Sequence, residues 1–231
     1  TNIMVNQSDV IIAGGAESMS SVPMSGHHIS PNPYMAENDP HVYMSMGLTA
    51  ERVAGEFGVN RQDQDEFAAW SHEKAANATD AGYFAQEIVP FAWEETVIGE
   101  DGMPMTVNMR LTEDEHLRRG TTAQVLAGLK PVFKPDGSVT AGNSSPLSDG
   151  AAGVIIMSRE KAEELGLTLL ARFVGFAVAG VRPEIMGVGP IKAVPKVLQR
   201  TGLSLDDIDL IELNEAFAAQ SLAIIRELEI D

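Results

Sequence analysis

Asn214 stands where chemistry could be done. It follows the apolar run Leu210, Ile211 and Leu213, and it precedes Phe217, Ala218, Leu222 and Ile225 at helical spacing. A strand-to-helix junction at the carboxyl end of a strand is where α/β sheets collect ligands. A neutral amide there can fix a water or an oxyanion. Asn also commonly caps a following helix, and position alone leaves both uses open. A second candidate is the pair Arg118-Arg119, with Lys130 and Lys134 downstream. These cations suit a phosphate, although paired arginines also serve as solvated surface. His27-His28 and His41 lack a His-x-x-x-His or a carboxylate at ligand spacing, so no metal site is expected. His72, His116 and Trp70 are read as structural.

Composition narrows the classes. The chain has 231 residues, 44% hydrophobic and 21% charged, enough for one large or two modest units. A formal net charge of -17 opposes nucleic-acid and anionic-membrane binding. An anionic ligand would need a local basic patch within that acidic field. No segment reaches the length of a membrane span, no signal peptide is expected, and the default location is cytoplasmic. The chain has 0 Cys, which excludes disulfides and thiolate-bound metals.

The elements follow from periodicity and punctuation. Val10 to Ala13 reads as a strand buried on both faces, running into the Gly14-Gly15 turn. Residues 20 to 38 read as loop. One helix is expected from Thr49, as its cap, to Phe57, with Gly58 as its stop; another runs from Arg61 to Thr79 behind Asn60, ended by Gly82. Glu87 to Trp93 reads as an edge strand because Pro90 removes a donor. Thr121 to Ala127 includes a short helix, and Gly150 to Ser158 a buried strand followed by a helix that Ser158 caps and Gly166 stops. Leu169 to Val178 reads as a long strand, Pro190 opens a helix ending near Gly202, and the last helix follows Asn214 to Leu228. No Gly-x-Gly-x-x-Gly follows a strand, so a dinucleotide-binding half is not expected.

Asn214-Glu215-Ala216-Phe217 followed by Ala-Ala-Gln resembles the Asn-Glu-Ala-Phe motif of the thiolases. Gly14 to Ser20, Val139 to Ala152 and Met186-Gly-Val-Gly-Pro190 resemble other thiolase blocks in the same order. The resemblance implies an α/β fold, a layered α/β/α/β/α core that this chain holds incompletely, with an inserted mixed α+β loop domain. On it, residues 1–18 end the N-terminal half, 19–147 form the loop domain that covers acyl-CoA, 148–168 supply the last strand and helix of that half, and 169–231 start the C-terminal half.

Thiolases move an acyl group between carbon and the sulfur of coenzyme A through an acyl-enzyme on Cys, with a second Cys and a His handling protons. The resemblance puts the nucleophile before Thr1 and the His and second Cys past Asp231, so the chain is expected to be an internal piece, inactive alone. It implies that Asn214 orients a water on the thioester oxygen and that Arg118 meets the adenine-ribose end of coenzyme A. Phe133, Ala141 and Ser145 would line the pantetheine, and Met46, Met186, Ala216 and Phe217 the acyl end. Coenzyme A would be a substrate, with no resident cofactor, and the full protein a dimer or tetramer. Ser45 stands where many acetoacetyl-specific members have His, and residues 139–152 resemble degradative members. Both favour thiolysis of 3-ketoacyl-CoA in fatty-acid β-oxidation over biosynthetic acetoacetyl-CoA chemistry. A non-catalytic acyl-CoA-binding or assembly module is the reading from a different class.

Overall fold

The helices that begin at Pro33, Arg61, Ala123 and Arg159 start where the short polar side chain of Asn32, Asn60, Thr122 or Ser158 takes a free amide of the first turn. The computed structural model describes residues 2–230. In chain order it contains β1 (Val10–Ser18), α1 (Pro33–Asn38), α2 (Met46–Glu56), α3 (Arg61–Asp80), β2 (Phe91–Ile98), β3 (Pro104–Leu111), α4 (Ala123–Ala127), β4 (Asp149–Met157), α5 (Arg159–Glu164), α6 (Pro190–Thr201) and α7 (Ala218–Leu228). Asn60 accepts from the Asp63 N–H at 2.9 Å to open α3, and Ser158 accepts from the Lys161 N–H at 3.2 Å to open α5. Gly58, Gly82, Gly166 and Gly202 follow their helices at φ between 64° and 77°, the left-handed stop that a side chain resists. Thr49, expected as a cap, lies inside α2, and its hydroxyl donates to the Met46 carbonyl at 2.7 Å.

The chain forms two units. One runs to Ser45 and resumes over Pro146–Glu212; the other comprises Met46–Ser145 and Leu213–Glu229. In the first, β1 and β4 pair antiparallel in unbroken register, from Val10↔Met157 to Ser18↔Asp149. Gly14 is required there, because a Cβ would meet the Ala152 carbonyl oxygen at 2.8 Å. The expected burial of both faces is not found: Val10, Ile12, Val154, Ile155 and Ile156 are exposed, since a two-stranded ribbon leaves its faces open.

Leu169 to Val178, expected as a strand, carries no ladder. A strand needs a neighbour to take its amides and carbonyls, and here side chains of α6 take that place. Lys196 donates to the Val178 carbonyl at 2.9 Å and Arg200 to that of Phe176 at 3.2 Å. Leu170 is 98% exposed. The run Leu210 to Leu213 is likewise unladdered.

In the second unit α2, α3 and α7 pack together, with α4 on α3. The core is built of small and medium residues: Ala50, Val53, Ala54, Phe67, Ala68, Ala219, Ala223 and Ile224 are buried. Trp70, expected in the core, is half exposed; it meets the Phe67 ring edge-on at 6.1 Å and carries the Lys74 ammonium 3.7 Å over its face. The strand expected at 87–93 starts instead at Phe91, just past Pro90, and pairs antiparallel with β3, a partner that the sequence reading did not include. Alternation then puts Phe91, Trp93, Val97, Met105, Met109 and Leu111 on one face of the hairpin and Glu94, Thr96, Thr106, Asn108 and Arg110 on the other.

Candidate active site

The turn bearing Asn214 is stitched to the loop bearing Ser145. The Ser145 N–H donates to the Ala216 carbonyl at 2.9 Å, the Ala218 N–H donates to the Asn143 carbonyl at 3.0 Å, and Ser144 and Phe217 form an antiparallel bridge. Two segments 73 residues apart, from Ser144 to Phe217, thus lie side by side for three residues. Helix α7 starts at Ala218 with Phe217 as its N-cap, so Asn214 does not cap it and its side chain is exposed. Local backbone bonds therefore leave the amide free to meet something else.

Rings form one wall. Phe133 and Phe217 meet edge-to-face with centroids 6.2 Å apart at 80°. Phe133 also lies against Gly47, beside Met46 at the start of α2. Met46, Phe133, Ser145, Asn214, Ala216 and Phe217, each expected to line a ligand, therefore belong to one neighbourhood of one unit. Ala141 is exposed on the same loop as Ser145. Met186 lies in the short helical stretch Pro183–Val188 of the other unit, 52% exposed.

A buried polar network, absent from the sequence reading, holds the loop of residues 137–145. The Glu51 carboxylate accepts from the Ser138 N–H at 2.9 and 3.0 Å and from the Val139 N–H at 2.8 Å. Asp65, 2% exposed, is paired with Arg61 at 2.7 Å and accepts from the Asn143 amide at 3.0 Å. Asn143 also donates to the Ser138 carbonyl at 3.1 Å and accepts from the Thr140 N–H at 2.8 Å. Gln64 donates to the Ser138 hydroxyl at 2.9 Å. The loop is anchored from α2 and α3 before any ligand arrives.

Helix α3 also reaches the Asn214 turn and the Arg118 loop. Ser71 donates a short hydrogen bond to the Glu215 carboxylate, and Lys74 lies 3.7 Å from it. One residue on, His72 accepts the Arg118 N–H on Nδ1 at 3.3 Å. Of the arginine pair, Arg119 is committed to Asp80 at 2.8 Å and to Glu113 at 3.8 Å, and the Asp80 contact raises its pKa. The Arg118 guanidinium bonds the Glu115 carbonyl of its own loop at 2.8 Å. Among the described residues no group of His, Cys, Asp and Glu could hold a metal ion.

A thiolase N-terminal domain model matches residues 1–160 and a thiolase C-terminal domain model residues 167–231. The chain belongs to the thiolase family. It is 56% identical over 229 residues to the 3-ketoacyl-CoA thiolase of Bacillus subtilis (strain 168), covering 99% of this chain and 59% of that relative. Its fold matches the crystal structure of the Bacillus anthracis acetyl-CoA acetyltransferase with a TM-score of 0.84 at 43% identity, over 100% of this chain and 59% of that one. It matches the dimeric peroxisomal thiolase of Saccharomyces cerevisiae equally well, with a TM-score of 0.84 at 42% identity over 100% of this chain and 56% of that one. The α/β thiolase fold is thus established, and the chain spans less than two thirds of these relatives' length. No helix of the described residues is long and apolar enough to cross a membrane.

Within this thiolase unit His72 makes stability depend on pH. Its pKa lies below the ordinary 6.5, first because of burial and then because of the Arg118 charge, with Glu215 opposing. The unfolded chain takes up the proton at a higher pH than the folded one, so stability is complete above pH 6.5 and declines as pH falls below it. Denaturant melts from pH 8 to about 5 are expected to show this decline, and His72→Gln, which keeps an acceptor but does not titrate, is expected to flatten that part of the profile. Parallel profiles for the two chains would remove His72 as the cause.

Proposed function

We propose that this chain is the coenzyme-A-handling portion of a thiolase that cleaves 3-ketoacyl-CoA to acyl-CoA and acetyl-CoA, or runs the reverse condensation. The observation that carries the reading is the stitch between residues 143–145 and 216–218, which ties the turn that follows Asn214 to the loop of Ser145 and to the Phe133–Phe217 wall. An acyl-pantetheine arm needs that combination of an apolar wall with a few fixed polar groups. In this reading Asn214 holds a water on the thioester oxygen, as carbonyl charge builds during attack. Arg118 meets the nucleotide end of coenzyme A, Ala141 and Ser145 lie along the pantetheine, and Met46 faces the acyl end. Coenzyme A is a substrate and no resident cofactor is required. The attacking sulfur is not among these 231 residues, which hold 0 Cys. The reading carries a cytoplasmic location and, for the whole enzyme, a dimer or tetramer.

The absence of any thiol also favours a second reading, a non-catalytic acyl-CoA-binding module. One experiment separates the two. The chain alone is expected to bind coenzyme A in the micromolar range by calorimetry and to release no acetyl-CoA from a 3-ketoacyl-CoA. Thiolysis is then measured after adding, as separate polypeptide, whatever part of the Bacillus subtilis relative lies outside the matched region. Acetyl-CoA formation supports the acyltransferase. Binding with no thiolysis supports the module, and no binding at all removes both.

A further inference from the structure

Gly47 is an unfavourable residue where it stands. It is the second residue of α2, buried, and Gly is a poorer helix former than Ala. Its φ is not in the left-handed region, so no backbone need explains it. The space does. A Cβ at residue 47 would lie 2.2 Å from Cδ1 of Phe133 and 2.3 Å from its Cε1 and Cγ. The ring of Phe133 is thus seated flush on the backbone of α2, closer than any side chain would permit. Its other neighbour is Phe217, edge-to-face at 6.2 Å. Phe217, three residues after Asn214, is in turn bridged to Ser144. Helix backbone, Phe133 ring and Phe217 ring form a stack that ends at the Asn214 turn, and Phe133 remains 39% exposed for contact with a ligand.

We propose that Gly47 is a specificity-determining residue: by letting Phe133 sit on α2, it sets how far the Phe133–Phe217 wall stands from the path of the acyl-pantetheine arm. This rests on the proposed function above. A methyl at residue 47 must push the ring out by about 1.2 Å to restore ordinary contact at 3.4 Å. Phe217 blocks one direction, so the ring moves into the space its exposed face now borders. A long acyl arm contacts both Phe133 and, at its acyl end, Phe217 and so loses the most, whereas coenzyme A without an acyl group meets the wall only along its pantetheine.

The test is calorimetric titration of the 231-residue chain with coenzyme A and with octanoyl-CoA, for wild type, Gly47→Ala, Phe133→Leu and the double variant. Gly47→Ala is expected to weaken octanoyl-CoA by about tenfold and coenzyme A by less than about threefold, tenfold being about 1.4 kcal/mol. In the Phe133→Leu background, where the smaller side chain leaves room for the methyl, Gly47→Ala is expected to cost nothing further. Equal binding by Gly47→Ala and wild type overturns the inference and leaves the functional reading standing. So does a tenfold loss that persists in the Phe133→Leu background. If Gly47→Ala fails to fold, the comparison of Phe133→Leu with the double variant decides on the same terms. A wild-type chain that binds neither ligand overturns the functional reading, and the inference with it.

Discussion

Asp65→Ala is expected to destabilise the unit that carries the Asn214 turn by about 3–5 kcal/mol, a large share of the about 5–15 kcal/mol that holds a typical domain together. The reason is what the carboxylate leaves behind. Arg61, itself largely covered, loses its counter-ion at 2.7 Å and retains bonds to the Leu126 carbonyl at 2.7 Å and the Leu129 carbonyl at 3.0 Å. Asn143 loses an acceptor at 3.0 Å inside the protein. A buried charge without its partner is worse than no charge at all. Asp65→Asn keeps the volume and a carbonyl for Asn143 but not the countercharge, so it should fall between wild type and Asp65→Ala. Urea denaturation followed by far-ultraviolet circular dichroism measures the three. Asn143→Ala combined with Asp65→Ala should cost less than the two alone summed, because both remove one bond. An Asp65→Ala chain with an unchanged midpoint would show that Arg61 is held by the Leu126 and Leu129 carbonyls without it.

What was legible in the sequence had local causes. Asn60 and Ser158 cap their helices and four glycines end theirs because each interaction spans a few residues. The family motif put Asn214, Ala216 and Phe217 together by adjacency. Pairing was harder to read. Nothing near Leu169 to Val178 in the sequence says whether a neighbouring strand exists, and the described residues bring none to it, so a largely apolar run stays without a ladder. The hairpin partner Pro104–Leu111 opens on a proline after turn residues, which masks it as a strand.

The network that holds the site loop joins residues 74 to 88 apart, which no local pattern encodes. A signal did exist. Gln64 and Asp65 stand with Phe67 and Ala68 on the buried side of α3. Polar residues on an apolar helical stripe ask for partners, and their partners here are the loop carrying Ala141 and Ser145. Polar residues on a core face are thus as informative about a site as the motif itself, because they show which loop is held rigid.

Glu51→Ala is the second substitution with a large expected effect, about 2–4 kcal/mol, from hydrogen bonds to a charged group at about 1.5–3 kcal/mol each. Glu51 sits half-buried on α2 and takes two consecutive backbone amides, Ser138 and Val139. The Val139 side chain is fully buried, so its amide has little recourse to water once the carboxylate is gone. Gly137 completes the arrangement: a Cβ there would lie 2.0 Å from Oε1 of Glu51. Gly137→Ala and Glu51→Ala should therefore be strongly non-additive, since each alone breaks the same seat. Glu51→Gln keeps a carbonyl oxygen with two lone pairs for the two amides that share Oε1 but loses the charge that strengthens both bonds, so it should fall in between. The consequence for ligand follows from the loop's path. Residues 138–139 lead directly into Ala141 and Ser145, and a loosened start lets the stitch to Ala216 open more often. Coenzyme A affinity should then fall together with amide protection at Ser138, Val139 and Ser145, measured by hydrogen exchange. Lost affinity with protection intact would mean that Glu51 acts on the ligand by its charge and not through the loop.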